Sequence, residues 1–297
     1  MSRRFEEEQR LDAAGVRHSF DRASASYEAS AVLQRRVGDE LLQRLDFFKL
    51  EPTVIVDLGA GTGRATAELK RRYRRATVIA LDIAPGMLRE ARRHQRWFRR
   101  FERVCGDALR LPLADASVDI VYSNLMLQWC SDLDVALSEV RRVLKPDGLF
   151  AFTTFGPDTL RELRAAWAVV DGYTHVNTFI DMHDVGDALG RAGLTEPVLD
   201  VERVTLTYSD ALEVMRDLKA IGAHNVTAGR PRGLTGRARL RQVQAAYESS
   251  RRNGLLPVTY EVVYGAAWGS AGKRGASVVA GEVRIPPSAI RHRGRAP

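Results

Sequence analysis

The segment VIVDLGAGTGR, residues 54–64, joins an apolar β-branched run to a glycine-rich turn. Glycine tolerates tight turns and leaves the backbone bare, so a ligand can lie directly against it. The dinucleotide fingerprint G-x-G-x-x-G would need glycine at Arg64, and no G-K-[ST] follows to cradle phosphates. The turn therefore predicts a nucleoside site of another kind. Its predicted binding residues are Asp57, Gly59, Gly61 and Gly63.

Three further clusters follow, each directly after a strand-like run. Asp82 comes 19 residues after Gly63, where a carboxylate can accept both hydroxyls of a ribose. Asp107 suits an adenine amino group, with the backbone N–H of Ala108 beside it. Asp82 and Asp107 taken singly also suit helix caps or turns, but four clusters in order favour one binding site. The predicted positions are Asp82, Ile83, Asp107, Ala108, Asn124 and Leu125.

Strand-like and helical stretches alternate around these clusters. The strand-like runs cover residues 53–58, 76–81, 101–105, 118–122 and 149–154, and the helical stretches cover residues 63–74, 85–99 and 133–144. This alternation predicts an α/β fold with a doubly wound, mostly parallel sheet. Ligands of such sheets bind at the carboxyl ends of the strands, where the four clusters lie.

The flanking segments predict a helical cap over this core. Residues 10–47 contain no proline and read as two amphipathic helices. Later helical stretches at 158–170, 182–192, 210–221 and 235–252 accompany strand-like runs at 198–208 and 258–268. We expect an N-terminal helical lid at 1–50, a ligand-binding core at 51–156, the rest of the core sheet with a helical cap insertion at 157–269, and a basic tail at 270–297 that is flexible at least in part.

The four clusters resemble the successive motifs of class I S-adenosylmethionine-dependent methyltransferases. The resemblance implies a seven-stranded Rossmann-like sheet with one late antiparallel strand, here residues 258–268. It also implies S-adenosyl-L-methionine as the methyl donor and S-adenosyl-L-homocysteine as its product. The family's N-P-P-Y signature for methylating nucleobase or amide nitrogens is absent, because Leu-Met-Leu follows Asn124.

Five longer segments are similar to malonyl-acyl-carrier-protein O-methyltransferases, the family that starts pimeloyl synthesis for biotin. They are FDRASASY at 20–27, SNLMLQW at 123–129, FGPDTLREL at 155–163, HVNTF at 175–179 and MRDLKAIGAH at 215–224, and the resemblance runs from about residue 14 to residue 268. It implies methylation of the free carboxylate of a malonyl thioester on acyl-carrier protein or coenzyme A. The preferred carrier, the acyl chain length and the oligomeric state stay open.

A carboxylate acceptor needs no general base, because it is already ionised near neutral pH. It needs alignment and a dry pocket, because a sulfonium and a carboxylate meet and leave neutral products. Tyr27 and His175 stand in the matched segments and are the catalytic candidates, as donors of hydrogen bonds to the acceptor carboxylate. Lid packing for Tyr27 and a structural loop role for His175 are the alternatives. Weaker substrate-binding candidates, with core, turn or cap roles as alternatives, are Gln128, Trp129, Asp158 and Asn177.

The chain is basic, which suggests a polyanionic partner or the composition of a GC-rich genome. Its 297 residues hold 45 Lys+Arg against 37 Asp+Glu, a formal net charge of +8. Residues 89–103 carry seven arginines, predicted to lie largely on one helical stripe with interleaved aromatic residues. Nucleic-acid binding is therefore an alternative function, but no recognised nucleic-acid module surrounds the stripe and we expect no such partner. Within the fold, the alternatives are methylation of another small acid and a role like that of a complex I assembly factor linked to arginine hydroxylation.

The remaining sequence features predict a cytoplasmic protein without a membrane segment or a metal. No apolar run approaches the roughly 18 residues that span a bilayer, and the first ten residues lack the apolar core of a signal peptide. Cys105 and Cys130 have neither metal nor redox spacing and are expected to be small buried thiols. The histidines show no common metal-ligand pattern.

Overall fold

Two helices precede the sheet, α1 (Ala13–Ser30) and α2 (Val32–Arg44). The computed structural model describes residues 11–223, 225, 235–270, 277–279 and 282–284. The carboxylate of Asp12 caps α1 by accepting the N–H of Ala14 at 3.1 Å. Leu33, Val37 and Leu41 are buried on one face of α2 at the expected three-to-four spacing. The two amphipathic helices predicted for residues 10–47 are confirmed.

The core alternates strands and helices as the sequence predicts. Its elements are β1 (Val54–Leu58), α3 (Arg64–Arg72), β2 (Thr77–Asp82), α4 (Pro85–Ala91), β3 (Glu102–Cys105), β4 (Val118–Asn124), α5 (Leu133–Val143) and β5 (Leu144–Phe155). The second half adds α6 (Arg161–Ala168), α7 (Met182–Arg191), β6 (Leu194–Tyr208), α8 (Ala211–Ala220), α9 (Arg237–Glu248) and β7 (Leu256–Gly269). Two short strands, β8 (Ser277–Val279) and β9 (Glu282–Arg284), pair with each other. The rest of the tail predicted at 270–297 lies outside the described residues, apart from residue 270.

The seven long strands form one sheet in the order β3-β2-β1-β4-β5-β7-β6. The first five are parallel, and β7 runs antiparallel to both β5 and β6. This confirms the doubly wound, seven-stranded α/β sheet with a late antiparallel strand. Because β1 to β4 are parallel neighbours in this sheet, their carboxyl ends lie along one edge and bring the four sequence clusters together.

The core lies on both faces of the sheet, because alternate residues of each strand point to opposite sides. Ile55 and Ile120 belong to one hydrophobic cluster, which includes residues of α2. Val56 and Val121 belong to the other cluster, which includes residues of α5 and α7. The sheet is therefore a middle layer with helices covering each face.

The helix predicted for residues 85–99 is shorter than expected. It starts with Pro85 at its first position, ends at Ala91, and continues only as a 3-10 turn at Arg92–His94. None of residues 92–100 is buried, so no core contact stabilises further helix there. The arginines of this region therefore do not form one helical stripe, and that part of the nucleic-acid argument was wrong.

Two smaller observations complete the description. Both cysteines are free thiols, but Cys105 is exposed and Cys130 is only partly buried, so the expectation that both are buried was wrong. Within the described ranges, no helix is both long enough and apolar enough to span a bilayer.

Candidate active site

The glycine-rich turn after β1 has a backbone shape that favours glycine. The φ angles of Gly59, Gly61 and Gly63 are +76°, +53° and +77°. A Cβ at Gly59 would lie 2.3 Å from Cγ of Met126, and one at Gly63 would lie 2.6 Å from Cβ of Ala91. A Cβ at Gly61 would meet no atom within 4 Å, so the bare backbone there borders open space.

Asp82, at the end of β2, holds this turn in place. Its two carboxylate oxygens accept the N–H of Gly61 and the N–H of Ala84, each at 2.8 Å. Burial raises the pKa of Asp82, and these backbone hydrogen bonds oppose the rise. A carboxylate has about four acceptor positions, so Asp82 can also accept hydrogen bonds from the hydroxyls of a ligand.

A cavity of about 800 Å³, counted to its open mouth, lies over the turn. Helix α1 covers it with Val16, Phe20 and Tyr27, and Leu81 and Met87 add apolar surface. The predicted residues that line this cofactor cavity are Gly59, Gly61, Asp82, Ile83, Asp107, Ala108, Asn124 and Leu125.

Two predicted cofactor-binding residues do not line the cofactor cavity. Asp57 is 2% exposed, and its carboxylate accepts a hydrogen bond from Oγ1 of Thr66 at 2.5 Å. Burial raises the pKa of Asp57 to about 7, against the lowering effect of Thr66 and with a further rise from the charge of Asp82. Gly63 lies where α3 meets α4, and Ala91 occupies the space that a Cβ at position 63 would need. Neither residue therefore borders the open side of the turn.

Asn124 and Leu125 form the rim at the end of β4. The Asn124 side chain donates to the carbonyl of Gln34 at 3.0 Å and accepts from Oγ1 of Thr153 at 2.8 Å. Leu125 has a φ angle of +51°, a conformation that is rare outside glycine and is found at functional sites. Its N–H donates to the Thr153 side chain at 2.9 Å, which holds the residue in place.

These features fit S-adenosylmethionine, the cofactor that the sequence implies. Its ribose hydroxyls and adenine amino group are hydrogen-bond donors, and the cavity offers two carboxylates, Asp82 and Asp107. One oxygen of Asp107 accepts the N–H of Leu109 at 2.9 Å, which leaves its other oxygen for a ligand. The backbone of Gly61 borders the open space of the cavity, so the side chain of any other residue at this position would occupy part of that space.

A second cavity of about 730 Å³ lies beside the first. Most of its lining is apolar, and it includes parts of α2, α6, α8 and β7 together with the loop between α6 and α7. Among its lining residues are Thr159, Leu163, Val176, Phe179, Leu218 and Tyr260. We call it the acceptor cavity.

Four residues line both cavities, namely Phe20, Tyr27, Leu125 and Trp129. The rings of Phe20 and Trp129 meet edge to face with centroids 5.1 Å apart. Burial raises the pKa of Tyr27, and the charges of Asp82 and Glu28 raise it further, so its hydroxyl stays protonated and able to donate. The two cavities therefore meet at an apolar wall that contains one hydroxyl donor.

His175 lines the acceptor cavity, as predicted for an acceptor-binding residue. Its Nε2 lies 2.7 Å from an oxygen of Asp171, and its ring stacks on Trp167 with centroids 3.6 Å apart. Asn177 and Gln128 also line this cavity. Asn177 is 7% exposed, and among the described residues its Oδ1 has no hydrogen-bond partner.

Gln128 is already engaged by the protein. Its Nε2 donates to the carbonyl of Leu125 at 2.7 Å, and its Oε1 accepts from Oγ1 of Thr154 at 3.3 Å. Trp129 packs on Phe20 and belongs to the shared wall. Both residues therefore have structural contacts in addition to their place in the lining.

Asp158 is not among the residues that line the acceptor cavity. Its carboxylate pairs with Arg203 at 3.1 Å and with Arg161 at 3.6 Å, and its N–H donates to Glu261 at 2.8 Å. These contacts suit the turn role that was its alternative, and its substrate-binding role stays a prediction.

Sequence reasoning missed several residues of the site. Phe20 lies in one of the matched segments. The spacing of apolar residues in α1 does not distinguish a residue that lines a cavity from one that packs in the core. Tyr260 and Phe155 lie on strands, and only the register of the sheet shows on which face of the sheet each side chain lies. Asp171 lies four residues before His175, but both are in a loop, where this spacing does not indicate a pair. Within the described residues, no group of three His, Cys, Asp or Glu side chains could hold a metal ion.

The chain is similar to known proteins over nearly its whole length. A family model described as a methyltransferase domain matches residues 56–152. A malonyl-[acyl-carrier protein] O-methyltransferase of Methylovorus sp. is 57% identical over 264 residues, which are 87% of this chain and 89% of that relative. One of the same name from Halorhodospira halophila is 51% identical over 289 residues, 97% of this chain and 98% of that relative.

A solved structure shows the same fold. The YcgJ protein of Bacillus subtilis superposes with a TM-score of 0.57 at 17% identity, over 78% of this chain and 98% of that one. The similarity to the curated relatives goes further than the shared fold, since about half or more of the aligned residues are identical and the match with the Halorhodospira halophila relative covers 97% of this chain. The chain belongs to the malonyl-[acyl-carrier protein] O-methyltransferase family.

Proposed function

We propose that the protein transfers the methyl group of S-adenosylmethionine to the free carboxylate of a malonyl thioester on acyl-carrier protein. The product is the malonyl methyl ester that starts pimeloyl and biotin synthesis. As a member of its family the chain is an S-adenosylmethionine-dependent O-methyltransferase. The observation that carries the proposal is the pair of adjacent cavities, one lined by the carboxylates of Asp82 and Asp107 and the other mostly apolar. The two cavities share the wall of Phe20, Tyr27, Leu125 and Trp129.

The cofactor cavity supplies the groups that bind the donor. When bound, S-adenosylmethionine provides a methyl group on a positively charged sulfonium, and transfer to a carboxylate leaves a neutral thioether and an ester. Asp82 would accept the ribose hydroxyls while it keeps the glycine turn closed around them. Asp107 and the N–H of Ala108 would bind the edge of the adenine ring. The bare backbone at Gly61 would lie against the ligand.

The acceptor cavity supplies alignment and dryness. The acceptor carboxylate is already ionised, so no side chain has to remove a proton. Tyr27 and His175 would donate hydrogen bonds that orient it, and Asn177 offers an unpartnered amide oxygen to an N–H of the pantetheine arm. The apolar wall excludes water, which strengthens the attraction between carboxylate and sulfonium.

The proposal also covers partners and location. An acidic carrier protein is the expected macromolecular partner, and coenzyme A thioesters are the alternative form of the acceptor. We propose no nucleic-acid partner, because the arginines of residues 92–100 lie on an irregular exposed segment. Synthesis of a carrier-bound acyl group supports a cytoplasmic location.

The test is a reaction of the protein with S-adenosylmethionine and malonyl-acyl-carrier protein, followed by intact mass. We expect the carrier to gain one methyl group that mild base removes, and acetyl-acyl-carrier protein, which has no free carboxylate, to gain none. No gain on malonyl together with gain on another acyl acid would assign a different acceptor. No gain on any thioester acid would refute the proposal.

Variants at the wall test the assigned roles. Tyr27→Phe and His175→Ala should each lower turnover on the order of tenfold or more, because each removes a hydrogen bond to a charged group. Both should leave the Kd of S-adenosylmethionine, measured by calorimetry, within about twofold. Asp82→Ala should do the reverse and weaken cofactor binding first. His183→Ala, at an exposed histidine outside both linings, is the matched control. Loss of cofactor affinity in Tyr27→Phe or His175→Ala would contradict the assigned roles.

A further inference from the structure

His175 contacts two residues with no assigned role, Asp171 and Trp167, and two further residues contact Asp171. Its Nε2 lies 2.7 Å from Oδ1 of Asp171, and the two side chains are only 9% and 10% exposed. The same Asp171 oxygen accepts the N–H of Tyr173 at 3.1 Å. Trp167 of α6 stacks on the imidazole with an interplanar angle of 10°. Arg239 of α9 lies 3.8 Å from the second oxygen of Asp171.

These contacts fix which nitrogen faces the substrate. Burial opposes ionisation of Asp171, but the hydrogen bonds from His175 and Tyr173 and the charge of Arg239 outweigh it and lower the pKa of Asp171. An ionised carboxylate only accepts, so Nε2 of His175 must carry its proton. Nδ1 makes no hydrogen bond to any residue that the structure describes, and it is the nitrogen left for the acceptor cavity.

The state of Nδ1 then decides which ligand the cavity accepts. With Nε2 protonated, a neutral imidazole presents a lone pair at Nδ1, which repels a carboxylate. Only the imidazolium presents an N–H there, and it makes a charge-assisted hydrogen bond to a carboxylate but a weaker one to a neutral ester. The other titratable groups that line the cavity are Tyr27 and Tyr260, and burial raises the pKa of both, so they stay neutral near pH 7.

We infer that Asp171 and Trp167 are positioning residues that hold His175 as a cavity-facing cation, so that the site binds the acceptor as a carboxylate and releases it as a methyl ester. The inference rests on the proposed function. Asp171 supplies the countercharge and fixes the ring orientation, Trp167 covers one face of the ring, and Arg239 stands by the second oxygen of Asp171. Methylation removes the negative charge and with it the strong hydrogen bond, so the same contact discriminates substrate from product.

The variant Asp171→Asn tests this role by removing the countercharge with little change in shape. We expect the KM for malonyl-acyl-carrier protein to rise on the order of tenfold or more, with a smaller change in kcat and none in the Kd of S-adenosylmethionine.

Asp181→Asn is the matched control. Asp181 also lies 2.7 Å from a histidine, His183, but that pair is on the surface at the start of α7. Asparagine also serves as a helix cap, so we expect wild-type KM and kcat. If Asp171→Asn has the KM of the wild type, or loses only thermal stability, the inference is refuted while methylation by the wild type keeps the proposed function intact. If the wild type methylates no thioester acid, the proposed function itself fails.

A measurement on the wild-type protein tests the inference without relying on the folding of a variant. With S-adenosylhomocysteine present, no methyl group can be transferred, and nitrogen NMR of His175 reports its ring protonation. We expect both ring nitrogens to be protonated when malonyl-pantetheine is added, and this state to be lost when its methyl ester is added instead. A singly protonated ring with both ligands would overturn the inference.

Discussion

Asp57 and Asp82 show how two buried carboxylates on neighbouring strands take different roles. Both follow apolar strand residues, and both matched the cofactor pattern in the sequence. Asp82 accepts two backbone N–H groups of adjacent turns and lines the cofactor cavity. Asp57 accepts from Thr66 of α3 and lies behind the turn. The difference is one of strand register, which places one side chain at the open edge of the sheet and the other inside it.

The environment of Asp57 predicts an unusual pH dependence of stability. Its pKa is raised to about 7 in the folded protein, against 3.8 for an ordinary aspartate. Its contribution to stability is therefore fully present below about pH 4 and is lost as the pH rises through about 7. Asp57→Asn should remove that loss. Between about pH 5 and about pH 8, the variant should gain on the order of 2 kcal/mol of unfolding free energy relative to the wild type.

Urea unfolding of the protein at several pH values measures this difference. Asp119 provides the control, because burial opposes its ionisation but hydrogen bonds from Lys145, Thr53 and Val54 lower its pKa to about 2. Asp119 is ionised in both folded and unfolded chains over this pH range, so the difference between Asp119→Asn and the wild type should not vary with pH. A parallel pH dependence for Asp57→Asn and the wild type would show that Asp57 is ionised when folded.

At the scale of elements, the sequence predicts the strands and helices that follow from the periodicity of apolar residues. It fails for segments whose conformation depends on contacts with distant parts of the chain. The strands and most helices follow from runs of β-branched residues and from three-to-four spacing, and parallel order then places the clusters at one edge. The stretch at 92–100 has a helical pattern but no buried residue, so the α-helix ends at Ala91 and only a 3-10 turn follows it. The pairing of Asp171 with His175 depends on the path of a loop between α6 and α7, which no local pattern encodes.

The junction of α3 and α4 beneath the glycine turn gives the prediction at this scale. Gly63 has a φ angle of +77° and a Cβ there would lie 2.6 Å from Ala91. Gly193 has nearly the same φ angle, +79°, with nothing within 4 Å of a Cβ. Gly193→Ala should cost roughly 1–2 kcal/mol of stability from backbone strain alone. Gly63→Ala should cost about 1–3 kcal/mol more, because α3 and α4 must separate.

Displacement of α3 also moves the turn that Asp82 holds, so Gly63→Ala should weaken S-adenosylmethionine binding and Gly193→Ala should not. Chemical denaturation and calorimetry on the same two variants measure both effects. Equal stability losses and equal cofactor affinities in the two variants would show that the helices accommodate the methyl group without moving the turn.

At the scale of the whole molecule, the basic charge is unevenly distributed along the chain. Residues 271–297 hold six cations and one acid, so they supply +5 of the net +8. In the rest of the chain many arginines are paired with acids, as Arg64 is with Asp39 and Arg142 with Glu139. The high overall charge is thus a poor indicator of nucleic-acid binding. A net positive charge does attract an acidic carrier protein at long range.

Added salt should therefore lower kcat/KM for the carrier-bound substrate and leave kcat/KM for malonyl-pantetheine nearly unchanged. Between about 50 mM and about 500 mM salt the screening length falls severalfold, which weakens attraction between separated charges but not contacts inside a dry cavity. We expect kcat/KM for malonyl-acyl-carrier protein to fall on the order of tenfold, because charge steers encounter more than it stabilises the bound state. Malonyl-pantetheine has the same carboxylate and thioester without an acidic protein, so its kcat/KM should change by less than about twofold. An equal fall for the two substrates would place the salt-sensitive step inside the acceptor cavity, at the carboxylate itself, and would remove any role for the net charge in docking the carrier.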